Sequence, residues 1–163
     1  MALRNIVIEG DPILRKKCRP VEKFDDKLHI LLDDMHETLD KSEGVGLAGP
    51  QVGMCRRLFI MHLDEERMEA INPEIIESSG TQRIVEGCLS CPNKWGYVTR
   101  PMKCRLKAQD RNGDWYERDF EELEAQCVSH EYAHLDGQLF TDIVEEYVTV
   151  EEMSDRKRRR KKR

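Results

Sequence analysis

No stretch of the 163-residue chain approaches the ~20 consecutive apolar residues needed to cross a bilayer, so a membrane role is not expected. Met1-Ala2-Leu3-Arg4-Asn5 lacks the apolar core of a secretory leader, and the expected location is the cytoplasm. Residues 1–150 hold no internal repeat and no linker-like stretch, which speaks against several domains. The hydrophobic share is only 39%, workable for one core, and the 36% charged share demands a largely polar surface. No second Cys-x-x-Cys accompanies Cys88 and Cys91, and no thioredoxin-like βαβ pattern surrounds them. A structural zinc site or a redox pair there is therefore disfavoured. Without a leader, the six cysteines read as free thiols plus one metal ligand rather than as disulfides.

What is present is unevenly distributed. Residues 156–163 supply eight positive charges, and the overall −5 becomes −13 once those eight are set aside. An acidic body with a basic end suggests either a polyanionic partner for the end alone or a solvated, disordered tail. Leu28, Leu31, Leu32, Met35 and Leu39 recur at helical spacing and predict an amphipathic helix over 25–41. Residues 121–135 predict a second. Ile6–Ile8, Leu58–Met61, Tyr97–Thr99 and Cys104–Ala108 read as strands. Ala70–Ile76 reads as one broken at Pro73. Asn112-Gly113 signals a type I′ hairpin leading to a return strand at Trp115-Tyr116. The expected class is α+β: antiparallel sheets packed around a central helix.

That central helix carries His130-Glu131-Tyr132-Ala133-His134. Imidazoles four residues apart share a helix face and can bind one metal, with Glu131 facing water at that metal. A hydrolytic metal wants a third protein ligand. No His follows His134, which leaves Asp136, Asp142, Glu145, Glu146 or a thiolate. Cys88 is the best-placed thiolate, in Glu86-Gly87-Cys88-Leu89-Ser90, where Gly87 gives the backbone freedom to enter a crowded site. A glycine-rich segment, Gly44 to Gly53, implies a tight loop. It lacks the following Lys-Ser/Thr of a phosphate loop.

Gly-Val-Gly-Leu-Ala-x-x-Gln, Glu-Gly-Cys-Leu-Ser and His-Glu-x-x-His, in this order, closely resemble the three signature motifs of peptide deformylase. Asp11-Pro12-x-Leu14-Arg15, Ile71-Asn72-Pro73-Glu74 and Leu135-x-Gly137-x-Leu139-Phe140 extend the resemblance over nearly the whole chain. It implies a catalytic domain over 1–150, a basic tail over 151–163, and removal of the formyl group from N-formylmethionyl nascent peptides. It also implies Cys88, His130 and His134 as ligands of one divalent ion. Fe²⁺ is the ion implied in the cell, with Zn²⁺, Ni²⁺ or Co²⁺ in purified samples. Glu131 is implied as general acid/base, and Gln51 with the Leu89 N–H as the oxyanion hole. Gly46 is implied as a backbone contact, with Val45, Ile84, Leu123 and Cys127 lining the methionine pocket. By the same resemblance, 156–163 would reach ribosomal RNA. Ala133 stands where the family has Asp, which leaves a basic residue such as Arg100 expected to lack its partner. Ser129 replaces Gln, Gly49 replaces Ala, and Trp95 replaces a substrate-contacting Arg. Two rivals remain: a general metallopeptidase sharing only His-Glu-x-x-His, and an inactive metal-binding module at the ribosome.

Overall fold

The computed structural model describes residues 2–161. Among them, eight strands form two antiparallel sheets. They are β1 (Gly46–Ala48), β2 (Leu58–Leu63), β3 (Glu66–Ser79), β4 (Gln82–Cys88), β5 (Cys91–Arg100), β6 (Lys103–Gln109), β7 (Trp115–Glu121) and β8 (Glu146–Val148). The larger sheet runs β1-β2-β3-β6-β7 and the smaller β4-β5-β8. Three helices complete the chain: α1 (Asp26–Asp40), α2 (Glu122–His134) and α3 (Val150–Lys161). The expected α+β architecture, sheets around the helix carrying His-Glu-x-x-His, is what the fold shows.

α1 starts where the Asp25 carboxylate accepts the Leu28 N–H at 3.1 Å, which satisfies one otherwise orphaned donor. Its leucines and Met35 are buried against Leu47, Leu58, Ile60 and Ile71. Phe59 and Met61, on the opposite face of β2, join a second core with Leu106, Phe120 and Val128. Side chains alternate across a strand, so one continuous apolar run in β2 serves both cores. This places α2 under the sheet, with Ala125 and Val128 fully enclosed. A third core gathers Leu14, Cys91, Val98, Leu139 and Phe140 beside the small sheet.

Several local expectations need correction. Ile6–Ile8 forms no strand. Instead the Val7 N–H donates to the Gln51 carbonyl, and the Glu9 N–H to the Ser90 carbonyl, which ties the segment to the site. Pro73 does not break β3. The strand passes through it with a register shift between Ile71 and Glu74, and Asn72 adopts a φ of +50°. The Asn72 side chain steadies that bulge by bonding to Val21 and Gln109. At the β6–β7 turn only Gly113 has a positive φ, so the turn is not type I′. The Asp110 carboxylate accepts the N–H groups of Asn112 and Asp114 and shapes a longer loop. Residues 156–161 are helical rather than disordered, while Lys162 and Arg163 lie outside the described residues.

Candidate metal and catalytic site

His130 and His134 project from one face of α2, both buried. Their Nε2 atoms are 3.2 Å apart. Cys88 arrives from the end of β4, where a two-residue turn leads into β5 and pairs Cys88 with Cys91. Its Sγ lies 3.5 Å from the His134 Nε2. One donor atom from each of the three residues falls within 4.8 Å of the others. The carboxylates left open by the sequence do not join them: Asp142 binds Arg15, Asp136 binds Arg57, and Glu145 and Glu146 bind Arg83.

Behind the triad sits a residue the motif contains but whose role the sequence did not reveal. The buried Glu86 carboxylate contacts the His130 Nδ1 and forms a two-pronged ion pair with Arg100, at 2.6 and 3.1 Å. Gln126 donates to the same carboxylate at 3.2 Å. Burial alone would raise Glu86, but the bonds to His130 and Arg100 hold it down to about 2. Arg100 therefore has its carboxylate, on β4 rather than at position 133, and the expected orphan does not exist. A ligating imidazole usually needs such an acceptor on its second nitrogen, which is the signal that could have pointed to Glu86.

Glu131 faces the triad from the same helix. Burial pushes its carboxyl up to about 7, and its Oε1 is buried without a partner. Gly46 lies directly over it: a Cβ there would come within 2.6 Å of Glu131 Oε2. Gln51 belongs to a 3₁₀ turn, Gly49–Val52, opened by Pro50. Its Oε1 accepts the Ala48 N–H at 2.9 Å, which fixes the amide's orientation. Its Nε2 then donates to the fully buried Ser90 hydroxyl at 3.1 Å and lies 3.6 Å from Cys88 Sγ. Leu89, beside Cys88, packs toward Leu39 and Gly44.

These groups line a cleft of about 480 Å³. Val45, Gly46, Leu89, Leu123 and Cys127 all border it. Ile84 does not. It packs against the third core together with Cys88, while Val85 is the β4 valine that borders the cleft. Val45 and Leu123 are 53% and 68% exposed, so the mouth presents apolar surface to water. Trp95 stands in the cleft wall beside Gly87. Ser129 turns its hydroxyl back to the Ala125 carbonyl at 2.9 Å. Gly49 leaves room that Ala would not, since a Cβ would meet the Met54 and Arg56 carbonyls at 2.8 Å.

The donor set suits a divalent transition ion. Burial and neighbouring His130 keep His134 neutral, as a ligand must be. The hydrogen bond with Cys91, burial and nearby Glu131 push the Cys88 thiol far up, so it keeps its proton until a cation replaces it. One sulfur and two imidazoles make a three-ligand set of the kind found in hydrolytic centres with an open position.

The comparisons with known proteins agree. The family model for polypeptide deformylase matches residues 3–149. A peptide deformylase of Caldicellulosiruptor bescii is 49% identical over 159 residues, spanning 98% of this chain and 96% of that one. One from Agathobacter rectalis is 50% identical over 147 residues, 89% of this chain and 92% of its own. Among solved structures, the peptide deformylase of Thermotoga maritima superposes with a TM-score of 0.86 at 38% identity, covering 88% of this chain and 98% of that one. The one from Synechococcus elongatus, in complex with actinonin, gives 0.85 at 34% identity, covering 87% and 79%.

Proposed function

This chain belongs to the polypeptide deformylase family, and on that premise we propose how its residues divide the work. It is an enzyme that removes the formyl group from N-formylmethionyl peptides, which sets aside the general-peptidase and inactive-module readings. Residues 1–150 carry the catalysis and 151–163 form a basic extension. The observation that carries the reading is the meeting of Cys88 Sγ with two imidazoles beside Glu131 and Gln51.

Cys88, His130 and His134 would hold one divalent ion, Fe²⁺ in the cell, with Zn²⁺, Ni²⁺ or Co²⁺ able to replace it. When bound, the ion lowers the pKa of water and polarises a carbonyl. Glu131, with a carboxyl poised near neutrality, takes a proton from the attacking water and passes it to the leaving amine. The Gln51 amide, locked by Ala48, and the Leu89 N–H stabilise charge on the formyl oxygen. One such donor is typically worth about 3 kcal/mol in the transition state. The Gly46 backbone receives the substrate chain. Val45, Leu123 and Cys127 in the cleft lining, together with Val85, enclose the methionine side chain, and Ile84 packs against the core that also holds Cys88. A side chain at position 46 would collide with Glu131, so glycine keeps the loop close to that carboxyl.

Basic residues from 156 on are suited to ribosomal RNA phosphates. Among the described residues no helix is long and apolar enough to cross a membrane, and the proposed setting is the cytoplasm, where ribosomes present their products.

Formyl-Met-Ala is the test substrate. We expect release of formate that stops with a chelator and returns with added metal. A metal-loaded sample that cleaves internal peptide bonds equally well, or releases no formate, would refute the reading.

A further inference from the structure

The mouth of the cleft has a wall that deformylation itself does not use. β8 pairs with β5 through Val148 and Trp95, Tyr147 and Gly96, and Glu146 and Tyr97. This ladder plants the first turn of α3 beside Trp95. Arg156 then anchors the helix. Its Nη2 donates to the Tyr97 hydroxyl at 2.7 Å, and its guanidinium carbon lies 5.5 Å from the centre of that ring. The following residue, Lys157, reaches the cleft and lines it together with Asn93, Lys94 and Trp95.

The charges of this rim are not equivalent. Lys94 is held by Glu9 at 2.5 Å. Arg156 is committed to Tyr97. Lys157 has no carboxylate partner among the described residues and is exposed. Lys161, four residues on, extends the same helix face outward. Of the acidic residues in the lining, Glu86 and Glu131 are buried, and Glu43 belongs to the segment that precedes Gly44, on the side of the cleft built from the glycine-rich loop. A peptide whose formyl end sits between Gln51 and Glu131 must leave through the cleft opening. An extended chain advances roughly 3.3 Å per residue, so its first few side chains sweep this rim.

We propose that Lys157 determines specificity: it favours nascent peptides bearing Asp or Glu within a few residues of formyl-methionine and disfavours those bearing Lys or Arg. The proposal rests on the deformylase reading above. The contact is made in water, so the effect is modest and falls on binding. An exposed ion pair gives about a two- to five-fold difference in KM at low ionic strength, with kcat little changed.

The experiment compares formyl-Met-Ala-Glu-Glu with formyl-Met-Ala-Lys-Lys, and uses formyl-Met-Ala as the reference. Wild-type enzyme should show the lower KM for the acidic peptide, and the difference should fade in high salt. Lys157→Ala should bring the KM ratio close to one, Lys157→Glu should invert it, and Lys157→Arg should keep it. A wild-type ratio near one overturns the proposal. So does a ratio that survives Lys157→Ala, or a change in kcat alone. If wild-type enzyme does not cleave formyl-Met-Ala at all, the deformylase reading fails first and this inference falls with it.

Discussion

Glu86 does two jobs with one carboxylate, and both can be separated by substitution. It accepts from the imidazole of His130 and neutralises a buried guanidinium. Glu86→Gln keeps the shape but removes the charge. Loss of orientation at a ligand costs about 10- to 100-fold in metal affinity or activity. Stranding Arg100 without its counter-charge also lowers stability, by roughly 3–5 kcal/mol if no other anion moves in. Metal titration and thermal melting should both register the change. Glu131→Gln is the contrasting case. It leaves Cys88, His130 and His134 untouched, so metal content should hold while kcat falls by about 10²–10⁴, the range for a lost general acid/base. Normal kcat in that variant would remove Glu131 from the chemistry. The gathering of His130, Glu131 and His134 was legible in the sequence because helical periodicity alone aligns those positions on the inner side of α2. Cys88 was legible only through its motif. Glu86 was not, because a carboxylate in a strand looks like any other until the helix it meets across the site is known.

At the scale of elements, α1 is fastened to β3 by charge as well as by its leucines. Glu69 on β3 accepts from Arg111 at 2.6 and 2.9 Å and pairs with His36 of α1 at 2.8 Å, while Arg111 also reaches Asp33. Burial works to raise Glu69, but these partners lower it to about 2, against an ordinary 4.5. A carboxyl depressed in the folded state stabilises the fold above its unfolded pKa and loses that contribution as pH falls. The window here runs from about 4.5 down to about 2. Glu69→Gln should lower the melting temperature near neutrality and flatten its dependence on pH across that window. An unchanged pH profile would mean the network contributes nothing. The elements that escaped sequence reading share a physical cause. β3 survives Pro73 because Asn72 absorbs the irregularity in a bulge, a tertiary solution invisible in a local pattern. β4 mixes polar and apolar residues without clear alternation and is held by its pairing with β5. α3 crowds like charges, which opposes helix formation locally, yet its root is fixed by β8 and by the Arg156–Tyr97 contact.

For the whole molecule, charge is divided by region. Acidic residues outnumber basic ones in the body, and α3 concentrates positive charge at one end, next to the cleft mouth. Arg158 and Arg159 are exposed. Replacing both with Ala should weaken ribosome association and make it less sensitive to salt, the logarithmic slope falling by about one for each phosphate no longer neutralised. Equal affinity and equal salt slope in the double variant would end the ribosome proposal. The fold class was visible from the sequence because two amphipathic segments and several short strands in one unbroken 150-residue stretch leave few alternatives. The two-sheet arrangement was not, since strand order depends on pairings between segments far apart in the chain.

Strand β2 is a party wall between two rooms, with Leu58 and Ile60 furnishing one and Phe59 and Met61 the other. No atom can be added on either side without taking space from a neighbour already touching it. Evolutionary novelty in this lineage therefore has its freedom at the doorway, where Val45, Leu123 and Lys157 stand in water, and very little along that ribbon. Descendants that acquire new tastes in peptides should be recognisable by an altered threshold around an unaltered partition.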